Sequence, residues 1–287
     1  MKISELLKQD KVTLSFEVFP PKKIDDYSKV EQAAKEIASL HPDFMSITYG
    51  AGGGTSQYTV DLARDIRQKY GTEVLGHLTC VSSTREHVAN MIEEFRSAGI
   101  ENIMALRGDI PKEGRTVFDY HYASELIREI RKSGDFCIGG ACYPEGHIEC
   151  EHKKEDILHL KEKVEAGCDF LTTQMFFDNN ILYNFLYRIR EAGINVPVLA
   201  GIMPITNKKQ LARSVQMSGT NVPERFRAIV DHFGEDPQAM KQAGIIYASE
   251  QIIDLIANGV KHIHVYSMNK PEVAKAIQDN LAHIVKK

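Results

Sequence analysis

Cysteine is sparse in this chain. Cys80, Cys137, Cys142, Cys150 and Cys168 are its only five, an odd number at irregular spacing that suits reduced thiols better than a disulfide framework. Nor is there a surplus of positive charge. Its 35 Lys and Arg stand against 39 Asp and Glu, a formal net charge of -4, and nucleic acid is not an expected partner. No stretch approaches the roughly 18 consecutive apolar residues of a membrane span. The opening Met1-Lys-Ile-Ser-Glu-Leu-Leu-Lys8 also lacks the apolar core of a signal peptide. Contact with a membrane is therefore not expected, and a cytoplasmic location is. Short signatures are missing too: no P-loop, no dinucleotide fingerprint, and no paired CxxC or HExxH spacing. The segment Cys142-Tyr-Pro-Glu-Gly-His147-Ile-Glu-Cys150-Glu-His152 is rich in soft ligands, but their types mix, and no metal centre is expected there.

Apolar residues make up 43% of the 287-residue chain and charged ones 26%. That is enough to bury a large core, and α/β barrels of about 250 residues commonly fold as one domain. A single catalytic domain over residues 1–287 is expected, with no low-complexity linker. The pattern reads as strand then helix, repeatedly. Val12 to Phe19 is a strand ended by Pro20-Pro21, and a helix follows from Tyr27 to Leu40. Phe44 to Tyr49 is the second strand, leading through Gly50-Ala-Gly-Gly-Gly54 to a helix with Val60, Ala63 and Ile66 on one face. Val74 to Cys80 is the third. Its helix carries capping-box spacing at Ser83 and Glu86, an apolar stripe of Val88, Met91, Ile92 and Phe95, and a stop at Gly99.

The fourth strand, Asn102-Ile-Met-Ala-Leu-Arg-Gly-Asp109, is apolar without alternation, as in a parallel sheet covered on both faces, and then stops at two opposite charges around a glycine. Tyr120 to Lys132 follows as helix. Cys137 to Tyr143 is the fifth strand, with a helix from Glu151 to Ala166. Phe170 to Phe177 is the sixth, with a helix from Asn179 to Glu191. Val196 to Met203 is the seventh, closed by Pro204. Residues 207–258 interrupt the period with two or three helices, before a strand from Ile263 to Ser267 and a last helix from Pro271 to Ile284.

Eight such units point to a (β/α)8 barrel with extra helices before the eighth strand; a doubly wound sheet is the competing arrangement. Barrel active sites lie at the carboxyl ends of the strands. Those ends carry Glu17, Thr48, His77, Arg107 with Asp109, Tyr143, Gln174, and Asn269 with Lys270. An exposed Arg107/Asp109 pair at a turn is the plainer reading of the fourth exit. Glu17 sits in Leu14-Ser-Phe-Glu-Val-Phe19, where a carboxylate must be paired, metal-bound or protonated. Burial there raises its pKa, as a general acid working near neutral pH requires, although a nearby Lys or Arg would serve as a structural partner. The glycine run at 50–54 can offer backbone N–H groups to phosphate or flavin, or simply be a turn. Asp156 and Lys163, seven residues apart on one helix, face the same way about 10 Å apart, too far to bond directly but suited to an extended ligand or to solvent. Gln174-Met-Phe-Phe177 puts an amide beside two aromatics, which serve either a heteroaromatic ring or the core.

Seven blocks then align in order: Ser15-Phe-Glu-Val-Phe-Pro-Pro-Lys22, Ser46-Ile-Thr-Tyr-Gly50, His77-Leu-Thr-Cys80, Ala105-Leu-Arg-Gly-Asp109, Ala141-Cys-Tyr-Pro-Glu-Gly-His147, Thr173-Gln-Met-Phe-Phe-Asp178 and Gly201-Ile-Met-Pro204. In this order the chain resembles the methylenetetrahydrofolate reductases, in their compact bacterial form. The resemblance covers nearly the whole chain and implies a flavin-containing (β/α)8 barrel. Its FAD accepts hydride from NADH or NADPH and passes it to 5,10-methylenetetrahydrofolate, giving 5-methyltetrahydrofolate, with both substrates using one flavin face in turn. It implies Glu17 as the general acid that opens the folate imidazolidine ring, and Asp109 as the carboxylate near flavin and folate. Thr48, His77, Arg107, Gly108, Asp109, Tyr143, His147, Asp156 and Lys163 match FAD-binding positions. Gln174 and Gln210 match folate-contacting glutamines. A homo-oligomer is the expected assembly.

The chain departs from the family at two places. Lys270 stands where bacterial members carry Arg, and a substrate-stacking Phe is replaced near Ser214; Lys is not an equivalent fork for carboxylate. These changes bear on the substrate-binding role of Lys270 and on the electron donor. Two alternatives stay open: the same flavin barrel fed by a separate electron-transfer subunit, and a flavin-free folate- or corrinoid-linked methyltransferase barrel.

Overall fold

Alternate residues of the first strand, Thr13–Val18 (β1), go opposite ways. Leu14, Phe16 and Val18 join the large apolar shell between strands and helices, while the polar Thr13, Ser15 and Glu17 occur every second position between them. Each fully buried side chain of this shell contributes about 1.5–3 kcal/mol. The structure, a computed structural model, describes residues 1–21, 23–49, 56–110 and 114–285. The other strands are Met45–Ile47 (β2), Val74–Thr79 (β3), Asn102–Leu106 (β4), Cys137–Cys142 (β5), Phe170–Thr173 (β6), Val198–Ile202 (β7) and His262–Val265 (β8). All pair in parallel and in chain order, and β1 closes on β8 with Phe16 opposite Val265. This is the (β/α)8 barrel, and the doubly wound alternative is excluded.

Helices Tyr27–Ala38 (α2), Ser56–Tyr70 (α3), Arg85–Ser97 (α4), Ala123–Ser133 (α5), Lys153–Glu165 (α6) and Asn179–Glu191 (α7) alternate with the strands, after a short Ile3–Leu6 (α1). Lys208–Ser218 (α8), Glu224–Phe233 (α9) and Pro237–Ala257 (α10) stand before β8, and Pro271–Asn280 (α11) ends the series. The extra helices thus number three. They have their own core, in which Phe226 lies between Phe177 and Tyr247. The Tyr247 hydroxyl donates to the Phe177 carbonyl at 2.6 Å, and Gly244 brings α10 so close to the loop after β7 that a Cβ there would lie 1.7 Å from the Ile205 carbonyl oxygen.

Below the carboxyl ends of the strands, the barrel interior is filled mainly by apolar side chains, with Thr13, Ser15 and Asn102 the buried polar exceptions nearby. Phe44, Leu75, Met104, Cys137, Phe170 and Leu199 fill it, and Ile3, Leu6 and Leu7 pack against them. The Ile3 N–H donates to the buried Asn102 side chain at 2.8 Å. A mainly apolar, plugged lower half leaves the other end as the place for chemistry.

Several boundaries differ from the sequence expectation. The cap of α4 is Thr84, whose hydroxyl accepts from the His87 N–H at 3.0 Å, rather than Ser83 of the supposed capping box. Helix α5 starts at Ala123, because Tyr120 is buried in the core ahead of it. Strand β6 stops at Thr173, so Gln174 lies in the turn, and Phe176 and Phe177 are core. Helix α11 ends at Asn280. The glycine run 50–54 lies outside the described residues.

Candidate active site

One cavity of about 1960 Å³ opens at the carboxyl ends of the strands. That exceeds the roughly 300–1,000 Å³ of an ordinary small-molecule pocket, so two ring systems can stand in it together. Chain segments far apart in sequence meet there. Glu17 comes from β1, Thr48 from just past β2, His77 from β3, and Arg107, Gly108 and Asp109 from the exit of β4; Tyr143 and His147 follow β5, and Asp156 and Lys163 come from α6. Gln174, Gln210 and Lys270 close the ring. Asn269 is not among the lining residues: its amide instead clamps the Phe19 backbone, accepting from the N–H at 2.8 Å and donating to the carbonyl at 3.0 Å.

Glu17 is buried, with a side chain 12% exposed, and imidazoles surround it. The His77 Nε2 lies 3.7 Å from its carboxylate and that of His264 lies 3.8 Å away, both beyond hydrogen-bond reach. Ser46 bridges the gap: its hydroxyl lies 3.3 Å from Glu17 Oε2 and 3.1 Å from His264 Nε2. The other His264 nitrogen, Nδ1, lies 2.8 Å from the Ser15 hydroxyl. Burial pushes the Glu17 carboxyl up, but His264, His77 and Ser46 outweigh it and hold the group below the ordinary carboxylate value. The expected burial-raised pKa is therefore overturned, because the partners are polar and close. For His77 burial wins, and its pKa falls to about 4, so the ring is neutral at pH 7.

Arg107 does not pair with Asp109. Its two terminal nitrogens donate to the two oxygens of Glu149, at 2.6 and 2.9 Å, a bidentate fork that aims the guanidinium along the rim. Lys163 Nζ donates to the Ala141 carbonyl at 2.7 Å, and burial lowers its pKa; burial raises that of Asp156 on the same helix. Tyr143 meets His147 edge-on at 4.6 Å, and burial pushes its phenol up to about 12. The Gly108 backbone, at φ 86, runs so near Val81 that a Cβ would lie 2.8 Å from its methyl.

The Gln174 carbonyl accepts from the Met175 N–H at 2.9 Å, which leaves its NH2 without a partner among the described residues. Gln210 makes three side-chain hydrogen bonds to its own loop, accepting from the Thr206 N–H at 3.0 Å and hydroxyl at 3.1 Å and donating to the Pro204 carbonyl at 3.3 Å. Lys270 Nζ donates to the Thr206 hydroxyl at 2.7 Å, and burial lowers its pKa. Ser214 is buried, with its hydroxyl 3.4 Å from the Met203 sulfur.

Reading strand ends alone passes over Ser15, Ser46, His264 and Tyr266. The signal was present as alternation: Thr13, Ser15 and Glu17 on one strand, His262, His264 and Tyr266 on another. Tyr266 lies across the floor with its hydroxyl donating to the Thr173 carbonyl at 2.6 Å. Gly201 permits this, since a Cβ there would lie 2.6 Å from that hydroxyl. At another edge of the cavity Tyr122 and His159 hold their rings nearly parallel, 13° apart with centroids at 6.3 Å. Neither carries a sequence signal, because they come from different elements and Tyr122 precedes a helix.

A closed parallel barrel with a buried carboxylate, two imidazoles and a deep cavity at its carboxyl ends has the architecture of a barrel enzyme. Its relatives are more specific. The family model described as methylenetetrahydrofolate reductase matches residues 2–282, and the chain belongs to that family. It is 35% identical over 269 residues to the 5,10-methylenetetrahydrofolate reductase of Pectobacterium carotovorum, covering 94% of this chain and 90% of that one. Identity to the Escherichia coli reductase is 34% with the same coverage. Identity to methylenetetrahydrofolate reductase (NADH) 1 of Arabidopsis thaliana is 36%, over 99% of this chain and 50% of the plant protein. Among solved structures, a Clostridium thermocellum protein described as binding two copies of 5-methyl-5,6,7,8-tetrahydrofolic acid superposes with TM-score 0.70 at 14% identity, covering 99% of this chain and 100% of that one. At that identity the likeness is one of fold.

Proposed function

We propose that this chain is one catalytic barrel that reduces 5,10-methylenetetrahydrofolate to 5-methyltetrahydrofolate with FAD and a reduced nicotinamide nucleotide, the two substrates occupying the same flavin face in turn. The observation that carries the reading is convergence: residues from Glu17 to Lys270 line one cavity whose floor is a buried carboxylate, in a chain of the reductase family. A plant relative carries NADH in its name, which favours that donor. The residues present fit FAD. Two half-buried cations, Arg107 and Lys163, suit its pyrophosphate, the Tyr122/His159 ring pair suits an aromatic end, and Gly108 keeps the backbone low beside the floor. Thr48, His77, Asp109, Tyr143, His147 and Asp156 complete its surround. When bound, FAD supplies the hydride exchange between nicotinamide and folate.

The chain itself supplies the proton and the charge. In the free site Glu17 is ionised, held so by Ser46 and the imidazoles. A pterin seated above it strips away the remaining water and raises its proton affinity. Glu17 takes up the proton from cavity water as the pterin enters, while the Ser46 hydroxyl links the carboxylate to the buried His264 behind it. Glu17 then hands the proton to folate nitrogen, and the opened iminium cation forms near Asp109, whose negative charge stabilises it. Gln174 offers its free NH2 to the pterin, while Gln210 and Lys270 meet the remainder of the folate.

Anaerobic addition of NADH and then methylenetetrahydrofolate tests this. The flavin bands of the purified protein bleach, then recover. In Glu17→Gln bleaching persists, and recovery slows by about 10²-fold or more, the scale of general acid catalysis. Equal loss of both steps would assign Glu17 to holding the cofactor. A purified protein without flavin bands would remove FAD from the reading, and recovery with folate after chemical reduction, but no bleaching by NADH, would assign the electrons to a partner protein.

A further inference from the structure

The seam between the first and last strands is joined by side chains where the backbone pairing stops. Pairing of β1 with β8 runs from Thr13 opposite His262 to Phe16 opposite Val265 and ends there. On its other side β1 stays in register with β2 through Glu17 and Val18, and the Thr48 N–H donates to the Val18 carbonyl at 3.0 Å. Glu17 and the two residues after it are therefore held by strand pairing from one side only. Across the open side reach two side chains of the β8 exit. The Ser267 hydroxyl donates to the Glu17 carbonyl at 3.1 Å, and the Asn269 amide takes both backbone groups of Phe19. Positions 17 and 19 thus meet 267 and 269, keeping the two-residue repeat of a strand without its backbone bonds.

The chain around Asn269 is shaped for this grip. Met268 and Asn269 both have left-handed backbone, at φ 58 and 52, which residues other than glycine seldom adopt and which persists only where surrounding contacts fix it. Asparagine is among the few that tolerate it. The turn leaves Met268 in the cavity wall and Asn269 on β1. On the β1 side, Phe19 is followed by Pro20 and Pro21, neither of which has an N–H to offer.

We propose that Asn269 is a positioning residue for the reduction: its grip on Phe19 sets the height of the β1 exit, and with it the reach of the Glu17 carboxyl toward the pterin. The inference rests on the proposed folate reading. A proton is handed over only from hydrogen-bond distance, and a misplacement of about 1 Å can cost about 10²-fold in rate. Ser46, His77 and His264 surround the carboxyl, whereas Ser267 and Asn269 hold the backbone that carries it. Hydride leaves the nicotinamide without a proton from the chain, so the grip serves the folate step alone.

The test follows NADH bleaching, and folate-driven recovery started from chemically reduced flavin, in the holoenzyme of wild type, Asn269→Gly, Glu17→Gln and the double variant. Glycine accepts the left-handed backbone at no steric cost, so flavin content is expected to match the wild type. In Asn269→Gly the limiting rate of recovery at saturating methylenetetrahydrofolate falls by about tenfold to hundredfold, while bleaching keeps its rate. Added to Glu17→Gln, the same change slows recovery no further, because no acid remains to be placed. Multiplicative slowing in the double variant overturns the proposal, as do equal slowing of both steps and recovery of Asn269→Gly at the wild-type rate. Weaker folate binding with an unchanged limiting rate overturns it in favour of a direct substrate contact. Should Asn269→Gly lose its flavin, Ser267→Ala is judged by the same criteria. A wild type that never recovers with methylenetetrahydrofolate ends the folate reading itself, whereas the other adverse outcomes end this inference alone.

Discussion

Acid is expected to weaken this fold, and the buried His77 ring is the best single probe of it. Burial drives the His77 imidazole from an ordinary 6.5 to about 4, although the Glu17 carboxylate favours its protonation. Between those values the unfolded chain binds a proton that the folded chain refuses, so stability is full above 6.5 and falls as the pH drops toward 4. The whole window is worth about 3 kcal/mol, and the step from about pH 7.5 to about pH 5 covers about 2 kcal/mol. Glu17 acts in the same direction lower down: its folded pKa lies below its ordinary 4.5, so its share is lost only as the pH falls from that value through the folded one. Burial lowers His147 and His262 as well, so urea unfolding at about pH 7.5 and about pH 5 isolates His77 only through the difference between wild type and His77→Gln. Wild type is expected to lose about 2 kcal/mol more on acidification than His77→Gln, with the m-value unchanged. Equal losses in the two proteins would refute the claim that the folded ring stays neutral.

Two further substitutions probe the scaffold. The Thr172 hydroxyl is buried in the barrel without a partner among the described residues, so Thr172→Val is expected to leave stability unchanged or raise it by up to about 1 kcal/mol; a clear fall in the thermal midpoint would contradict that. Gly244→Ala puts a methyl 1.7 Å from a backbone oxygen, and a loss of about 1–3 kcal/mol is expected from forcing α10 away from the loop after β7. An unchanged urea midpoint would show that the contact is looser than the geometry requires.

The strands were legible because parallel strands covered on both faces read as short apolar runs, such as Ile103 to Leu106, and their ends read as sudden polarity. The helix stripe of Val88, Met91, Ile92 and Phe95 is buried as its period requires. Local cues were weaker where two neighbours competed, as when Thr84 rather than Ser83 took the cap of α4. The candidate site was legible residue by residue, but partnership was not. Arg107 lies two positions from Asp109 in sequence and bonds Glu149, forty-two residues away.

Two kinds of fact therefore have different origins. Periodicity, strand ends and block order, all properties of the linear chain, were sufficient for the barrel, its extra helices and the family. What surrounds a buried charge depends on contacts across the barrel: Ser46 and His264 approach Glu17 from strands 29 and 247 residues away in sequence order. Those contacts reversed the direction of its pKa, because electrostatic energy falls with distance in space and takes no account of distance along the chain.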